Sequence, residues 1–213
     1  MSTIEQLKAH LTTLAFMQAR CMREHGAYTY PGGSADYVLD RGEAFESHPL
    51  DAEQRAYVRK LGSHWRLKEC FYNGQVLADR HARLTYCEGY AVSDAGFPVH
   101  HGWVVLDGKH VIDVTWRTNL FTPKARRVRG VIPEGWAYYG VRFLTPSGGH
   151  LSRAFKYGNE GMRGQHVLES YLDGTDALTR YREPRKSAPA WEEAGKLFER
   201  MLSRVSVGGE DVL

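Results

Sequence analysis

The chain has 213 residues, 42% of them hydrophobic and 25% charged, with a formal net charge of +3 at pH 7. This composition excludes general disorder, and the length fits one globular domain with a sizeable core. Three cysteines are too few for a disulfide framework. The sequence shows no signal-peptide pattern and no run of the roughly 20 apolar residues that a membrane span needs. We therefore expect a cytoplasmic protein that does not cross a membrane.

Helical patterns dominate the first part of the chain. Ser2 and Glu5 have the spacing of a capping box, and apolar residues then recur at helical spacing, which predicts a helix over 3–24. The stretch 28–47 contains Pro-Gly-Gly and is expected to be a loop. A second helix is predicted over 51–61, where a glycine follows the last apolar residue.

The residues with the clearest chemistry lie between Lys68 and Trp116. The pattern over 69–82 predicts a helix that begins near Cys70, although Gly74 lowers the helical preference by about 1 kcal/mol relative to alanine. A thiol has an ordinary pKa of about 8.5, and the unpaired N–H groups and the dipole of a helix start favour its anion. Cys70 is therefore a candidate nucleophile.

A strand and a hairpin are predicted after this helix. Residues 84–92 alternate as in a strand with two differently used faces. Residues 99–106 and 109–115 are rich in strand-forming residues and flank Asp107-Gly108, which is a strong turn signal. We expect an antiparallel hairpin.

The length of the hairpin loop decides which histidine lies beside Asp113. A two-residue loop would place His100 on the same face as Asp113. A three-residue loop, with Gly108 in the left-handed conformation, would place His101 there instead. The residue pattern alone leaves both registers open.

Thiol catalysis needs a thiolate, an imidazole that exchanges its proton, and a third group that orients the imidazole. The order of the motifs that supply these groups resembles the transglutaminase-like superfamily, a branch of the papain-like cysteine enzymes. Members typically carry a cysteine at a helix start, a Gly-Tyr strand, a His-x-Trp strand and an Asp-x-Thr strand. The matching positions in this sequence are Cys70, Gly89-Tyr90, His101 with Trp103, and Asp113 with Thr115.

The resemblance covers 68–116 and implies both a fold and a site. The expected fold is α+β and papain-like or transglutaminase-like, with helices packed against an antiparallel sheet and the nucleophile at the N-terminus of a buried helix. His101 would be the imidazole, which favours the three-residue loop.

The leading functional hypothesis is a cysteine-dependent acyl-transfer enzyme that cleaves or modifies an amide bond, as a peptidase, amidase or deamidase. Its catalytic residues would be Cys70, His101 and Asp113, and its substrate a protein, a peptide or a small amide. This chemistry calls for no cofactor and no metal. The backbone N–H of Cys70 is one candidate oxyanion donor. Further candidates for oxyanion or substrate binding are Asn73, Gln75, Trp65 and Trp103.

A basic stretch follows the predicted hairpin. It consists of Arg117, Lys124, Arg126, Arg127 and Arg129. Such a run is most often a solvated face, but it could also bind phosphate, nucleic acid or an acidic polypeptide. An alternative function is therefore a catalytically inactive transglutaminase-like protein that binds an acidic partner through this stretch.

A third hypothesis is a metal-dependent hydrolase that uses His100, His101 and Asp113. It is less favoured because their spacing matches no compact ligand pattern. Cys21 and Cys87 are expected to be packed thiols.

The last third of the chain is predicted to contain a strand, a long loop and helices. Residues 135–144 should form a strand that extends the sheet, and 146–164 a long loop before a short helix. We expect 1–62 to be a helical extension packed on a core of 63–182. A linker, an amphipathic helix and a tail over 183–213 would complete what we expect to be one domain overall.

Overall fold

The computed structural model describes residues 2–25, 33–62, 68–117 and 126–143, together with Leu168. The predicted loop and helix after residue 144, and the predicted linker and C-terminal helix, lie outside these residues. Among the described residues, no helix is both long and apolar enough to cross a membrane.

The described residues form helices and strands that alternate irregularly along the chain. The helices are α1 (Thr3–His25), α2 (Gly33–Arg41), α3 (Ala52–Lys60) and α4 (Cys70–Arg80). The strands are β1 (Glu43–Ala44), β2 (Leu84–Val92), β3 (Pro98–Leu106), β4 (His110–Arg117), β5 (Arg127–Arg129) and β6 (Ala137–Phe143). The predicted helices over 3–24, 51–61 and 69–82 correspond to α1, α3 and α4.

The six strands form one antiparallel sheet in the order β1-β6-β2-β3-β4-β5. Its two faces bury different clusters. On one face, side chains of all four helices pack against Tyr86, Val104 and Ile112 of the sheet. The cluster on the other face, which includes Trp103 and Tyr138, contains no residue of these helices. The α+β class with helices on one face of an antiparallel sheet is confirmed.

The prediction of a loop over 28–47 is wrong for its central part, where α2 and β1 form. Ala35 and Val38 of α2 are fully buried in the helical face of the core. The Pro-Gly-Gly signal precedes a helix start rather than an extended loop, and Gly33, with φ +64, is the first residue of that helix. Tertiary packing therefore outweighs the local loop signal.

The hairpin between β3 and β4 has a three-residue loop. Leu106 pairs with His110, and the N–H of Lys109 donates to the carbonyl of Leu106 at 3.0 Å. Asp107 and Gly108 both have positive φ, at 52° and 68°. This is the register that places His101, rather than His100, beside Asp113, and the prediction drawn from the resemblance is confirmed on this point.

Two glycines let α4 lie close to the sheet. A Cβ on Gly74 would lie 2.9 Å from Cε2 of Tyr86 and 3.4 Å from the carbonyl oxygen of Trp103. A Cβ on Gly102 of β3 would lie 3.1 Å from Cδ1 of Phe71. Gly74, which weakens the helix locally, is therefore required by the packing of the helix against β2 and β3.

The substitution Gly74→Ala tests this packing through the sign of its effect. In an open helix, alanine would raise the free energy of unfolding by about 1 kcal/mol. Here the added methyl meets a buried ring, so we expect a decrease of about 1–3 kcal/mol, measured by urea denaturation. Ala9→Gly, at an exposed position of α1, measures the difference in helix propensity between alanine and glycine without a packing contribution, in the same protein. A stabilised Gly74→Ala variant would contradict the close packing.

Candidate active site

Cys70 is the first residue of α4 and is 8% exposed. The first backbone bond of this helix joins the N–H of Asn73 to the carbonyl of Glu69 at 2.9 Å, so the N–H groups before Asn73 have no partner within the helix. Lys68 has φ 63, a left-handed conformation that is costly outside glycine and recurs at functional sites. The chain thus turns sharply to place the thiol at the positive end of a helix dipole.

His101 and Asp113 form a buried pair on neighbouring strands. Nε2 of His101 lies 2.7 Å from Oδ2 of Asp113, and each residue is 1% exposed. The same Oδ2 accepts a hydrogen bond from the hydroxyl of Tyr138 at 2.9 Å. Oδ1 accepts from the backbone N–H groups of Thr115 at 2.8 Å and Trp116 at 3.0 Å. The carboxylate is therefore fixed by four donors, as its burial requires.

The imidazole ring is also held by aromatic stacking. The ring of Trp116 lies 4.0 Å from that of His101, centroid to centroid, with an angle of 21° between the planes. Trp136 in turn packs edge-on against Trp116 at 5.6 Å. Stacking limits the rotation of the ring, so Nε2 stays on Asp113.

The electrostatics of the pair keep His101 protonated at neutral pH. Burial opposes the charged ring, but the charge of Asp113 and the hydrogen bond to it, with smaller contributions from Cys70, raise the pKa of His101 from its ordinary 6.5 to about 9. A hydrogen bond to the Cys70 thiol is among these causes. Because Asp113 takes Nε2, Nδ1 is the nitrogen available to the thiol. The three predicted catalytic residues therefore meet in one site.

The strand pairing explains how a thiol and an imidazole from different elements can meet. The pairs between β3 and β4 run from Leu106–His110 to Val104–Ile112. His101 and Asp113 lie past the end of this pairing, and α4 contacts both strands. Nδ2 of Asn73 in α4 donates to Oγ1 of Thr115 at 2.8 Å.

The other candidate oxyanion or substrate-binding residues have structural partners. Asn73 and Gln75 are fully buried, and Nε2 of Gln75 lies 3.5 Å from the hydroxyl of Tyr86. Trp103 is 1% exposed and packs in the cluster on the helix-free face. Trp65 lies outside the described residues. The side-chain amide of Asn73 links α4 to β4, so its contact with Thr115 positions the helix.

Two further histidines, His100 and His110, contact residues other than Cys70 and Asp113. Nε2 of His100 lies 3.1 Å from Oε1 of Glu88, a fully buried carboxylate that also accepts from the hydroxyl of Tyr86 at 2.9 Å. His110, at the start of β4, contacts the carbonyl of His48 at 2.9 Å. Within the described ranges, no group of three or more His, Cys, Asp or Glu side chains is arranged to hold a metal ion.

Cys87 is fully buried, and burial raises the pKa of its thiol far above the ordinary range. It is a packed thiol, as expected. The side chain of Cys21 lies outside the described part of the chain.

Sequence reasoning did not assign Tyr138 or Trp116 to the site. The hydroxyl of Tyr138 reaches Asp113 only because β6 pairs with β2 in the folded sheet.

The basic stretch divides between two strands. Arg117 ends β4 and pairs across the sheet with Arg127, the first residue of β5, while Arg126 and Arg129 are exposed. Lys124 lies outside the described residues.

A scan against models of protein families and searches of curated proteins and of solved structures found no match to this chain. The functional argument therefore depends on the geometry of the site.

Replacing Asp113 or Glu88, both of which are buried carboxylates, tests the electrostatics. Asp113→Asn removes the main cause that raises the pKa of His101, so burial should then dominate and the ring should titrate below 6.5 instead of near 9. The measurement is an NMR titration of His101, assigned by comparison with His101→Gln. Glu88→Gln is the matched control and should leave the titration unchanged. If the pKa of His101 were unchanged in Asp113→Asn, Asp113 would not be the group that raises it.

The same shift links folding to pH. A group whose pKa rises on folding stabilises the folded state below its unfolded pKa of 6.5, and the contribution disappears as the pH rises through about 9. We expect the stability advantage of the wild type over His101→Gln to be on the order of 3 kcal/mol at pH 6 and to shrink by pH 10. Urea denaturation across this range measures it. A constant difference would contradict the shift.

Proposed function

We propose that this protein is a cysteine-dependent acyl-transfer enzyme of the transglutaminase-like class that acts on an amide bond. The observation that carries the proposal is the buried His101, which binds Asp113 through Nε2 at 2.7 Å and whose pKa is raised further by the nearby Cys70. Thiol, imidazole and carboxylate in this order are the groups that thiol acyl transfer requires.

The chemistry begins from a thiolate beside a protonated imidazole. The sulfur of Cys70 attacks the carbonyl carbon of the amide, and the electron pair of the carbonyl moves to oxygen. The N–H groups at the start of α4 are suited to stabilise that oxyanion. As the tetrahedral intermediate collapses, His101 gives its Nδ1 proton to the departing nitrogen, which leaves as an amine or ammonia.

The second half of the reaction releases the acyl group from sulfur. Neutral His101 takes a proton from water or from an amine, which attacks the thioester and expels the Cys70 thiolate. Water gives a peptidase, amidase or deamidase, and an amine gives a transamidation. The resemblance favours hydrolysis. The substrate would be a protein, a peptide or a small amide.

Asp113 is proposed to stay ionised throughout. Its four hydrogen bonds hold the carboxylate in place, so it fixes the tautomer of His101 and stabilises the imidazolium. Tyr138 and the stacked ring of Trp116 act through this pair as positioning residues.

The papain-like or transglutaminase-like fold is proposed on similar grounds. The supporting features are a nucleophile at the first residue of a helix, the packing of that helix on an antiparallel sheet, and an imidazole and a carboxylate on adjacent strands of the sheet.

Alkylation by iodoacetamide at neutral pH tests the nucleophile. Cys70 should be labelled at least about tenfold faster than Cys87, because a thiolate is the reactive form and Cys87 is buried with a raised pKa. His101→Gln should slow the labelling of Cys70, since the adjacent imidazolium is lost. Peptide mass spectrometry identifies the modified residue.

The outcomes separate the candidate functions. Uniformly slow labelling of both cysteines would favour a catalytically inactive binding protein. Once an amide substrate is found, retention of its turnover in Cys70→Ser would remove the thiol mechanism. Turnover that EDTA abolishes and zinc restores would favour a metal-dependent hydrolase.

A further inference from the structure

We propose that Thr115 is a positioning residue, which fixes the thiol of Cys70 relative to the catalytic pair of imidazole and carboxylate. This inference rests on the proposed function and assigns a role to a residue outside the proposed catalytic and substrate-binding groups. Thr115 acts through its neighbours, so it is not itself a catalytic residue.

The catalytic pair lies where the backbone ladder between β3 and β4 has ended. β3 has nine residues and β4 has eight, but only three pairs join them, and the pair nearest the site is Val104 with Ile112. Beyond it, the hydrogen bond between the side chains of His101 and Asp113 spans the two strands. Backbone pairing of β3 with β4 therefore does not set the spacing within the site, and side-chain contacts are needed to set it.

Thr115 lies in an irregular part of β4. The register of β4 against β5 shifts between Asp113 and Arg117, as at a β-bulge. Bulges re-aim side chains and are common beside active sites. Here the chain folds back on the catalytic carboxylate, because the N–H of Thr115 donates to Oδ1 of Asp113 at 2.8 Å.

The hydroxyl of Thr115 connects this part of β4 with α4. Its Oγ1 accepts a hydrogen bond from Nδ2 of Asn73 at 2.8 Å. Thr115 is 6% exposed and Asn73 is fully buried, so the bond is shielded from water. A buried donor that loses its acceptor is costly, which favours this one arrangement of helix and strand. A single residue thus contacts both the catalytic carboxylate and the helix that carries the nucleophile.

Asn73 transmits this restraint to the thiol. It follows Cys70 by three residues in α4, and side chains at this spacing are neighbours on one face of a helix. Fixing Asn73 therefore fixes the rotation and the axial position of the helix at Cys70.

The contacts form a closed ring in which each one restrains the others. Its members in order are Cys70, His101, Asp113, Thr115 and Asn73, and the first turn of α4 closes it. Loss of the Thr115 hydroxyl would open the ring and leave the pair of His101 and Asp113 intact.

The substitution Thr115→Val tests this role, because it keeps the shape of the side chain and removes the hydroxyl. We expect iodoacetamide to label Cys70 roughly tenfold more slowly at neutral pH, since displacing a reacting group by about 1 Å can cost about 100-fold. Thr115→Ser keeps the hydroxyl and should restore most of the rate. Labelling of the buried Cys87 should stay slow in both variants, which shows that the fold is retained.

The matched control is Thr85→Val. It makes the same substitution at a half-buried position of β2 and should leave the labelling of Cys70 unchanged. If Thr115→Val does not fold, Thr115→Ala leaves room for a water beside Asn73 and has the same expected effect on Cys70.

An NMR titration of His101 separates positioning from a general loss of stability. Burial lowers the pKa of His101, while Asp113 and, to a smaller extent, Cys70 raise it to about 9. Displacing the thiol in Thr115→Val should therefore lower this pKa, as Cys70→Ala should. In the Cys70→Ala background, Thr115→Val should cause no further decrease. A further decrease would show that Thr115 acts through Asp113 instead and would overturn the proposal.

The two proposals fail separately. Fast labelling of Cys70 in the wild type, at the same rate in folded Thr115→Val, overturns the positioning role and leaves the proposed function intact. Slow labelling in the wild type overturns the proposed function. The titration then decides the positioning role: a pKa of His101 that falls in Thr115→Val as in Cys70→Ala supports it, and an unchanged pKa overturns it.

Discussion

The buried hydrogen bond between His101 and Asp113 is the interaction on which the rest of the site depends. A carboxylate taken out of water is costly unless donors surround it, and here a ring N–H, a phenol and two backbone N–H groups do so. The charge held in this way keeps the imidazole protonated despite its burial. The thiol of Cys70 therefore faces a cation rather than a neutral ring.

This electrostatic arrangement requires close packing of the surrounding elements. Gly74 and Gly102 let α4 approach β3, and the hydrogen bond from Asn73 to Thr115 ties the first turns of the helix to β4. On the far side of the sheet, Tyr138 reaches Asp113 from a strand that is not its neighbour. The glycines allow a close approach of helix and sheet, and the buried hydrogen bonds fix their relative position. Together they bring Cys70, His101 and Asp113, which lie on three different elements, into one site.

Much of this could be predicted because it is local. Capping, periodicity and a turn signal predicted α1, α4, β2 and the hairpin, whereas the choice of His101 over His100 was predicted from the family resemblance. The rest depends on contacts between distant residues. The helix α2 forms through packing that its loop-like sequence conceals. In the sequence, Arg117 and Arg127 are simply members of a basic stretch. Their pairing on neighbouring strands is visible only in the fold.

The central claim is that Cys70 accepts an acyl group with the help of His101. The most direct measurement is to treat the protein with an activated acyl ester and to locate the adduct by peptide mass spectrometry. The account predicts one thioester, on Cys70, which forms slowly in His101→Gln and is absent in Cys70→Ser. Adducts spread over lysines and other cysteines, with no dependence on His101, would contradict it.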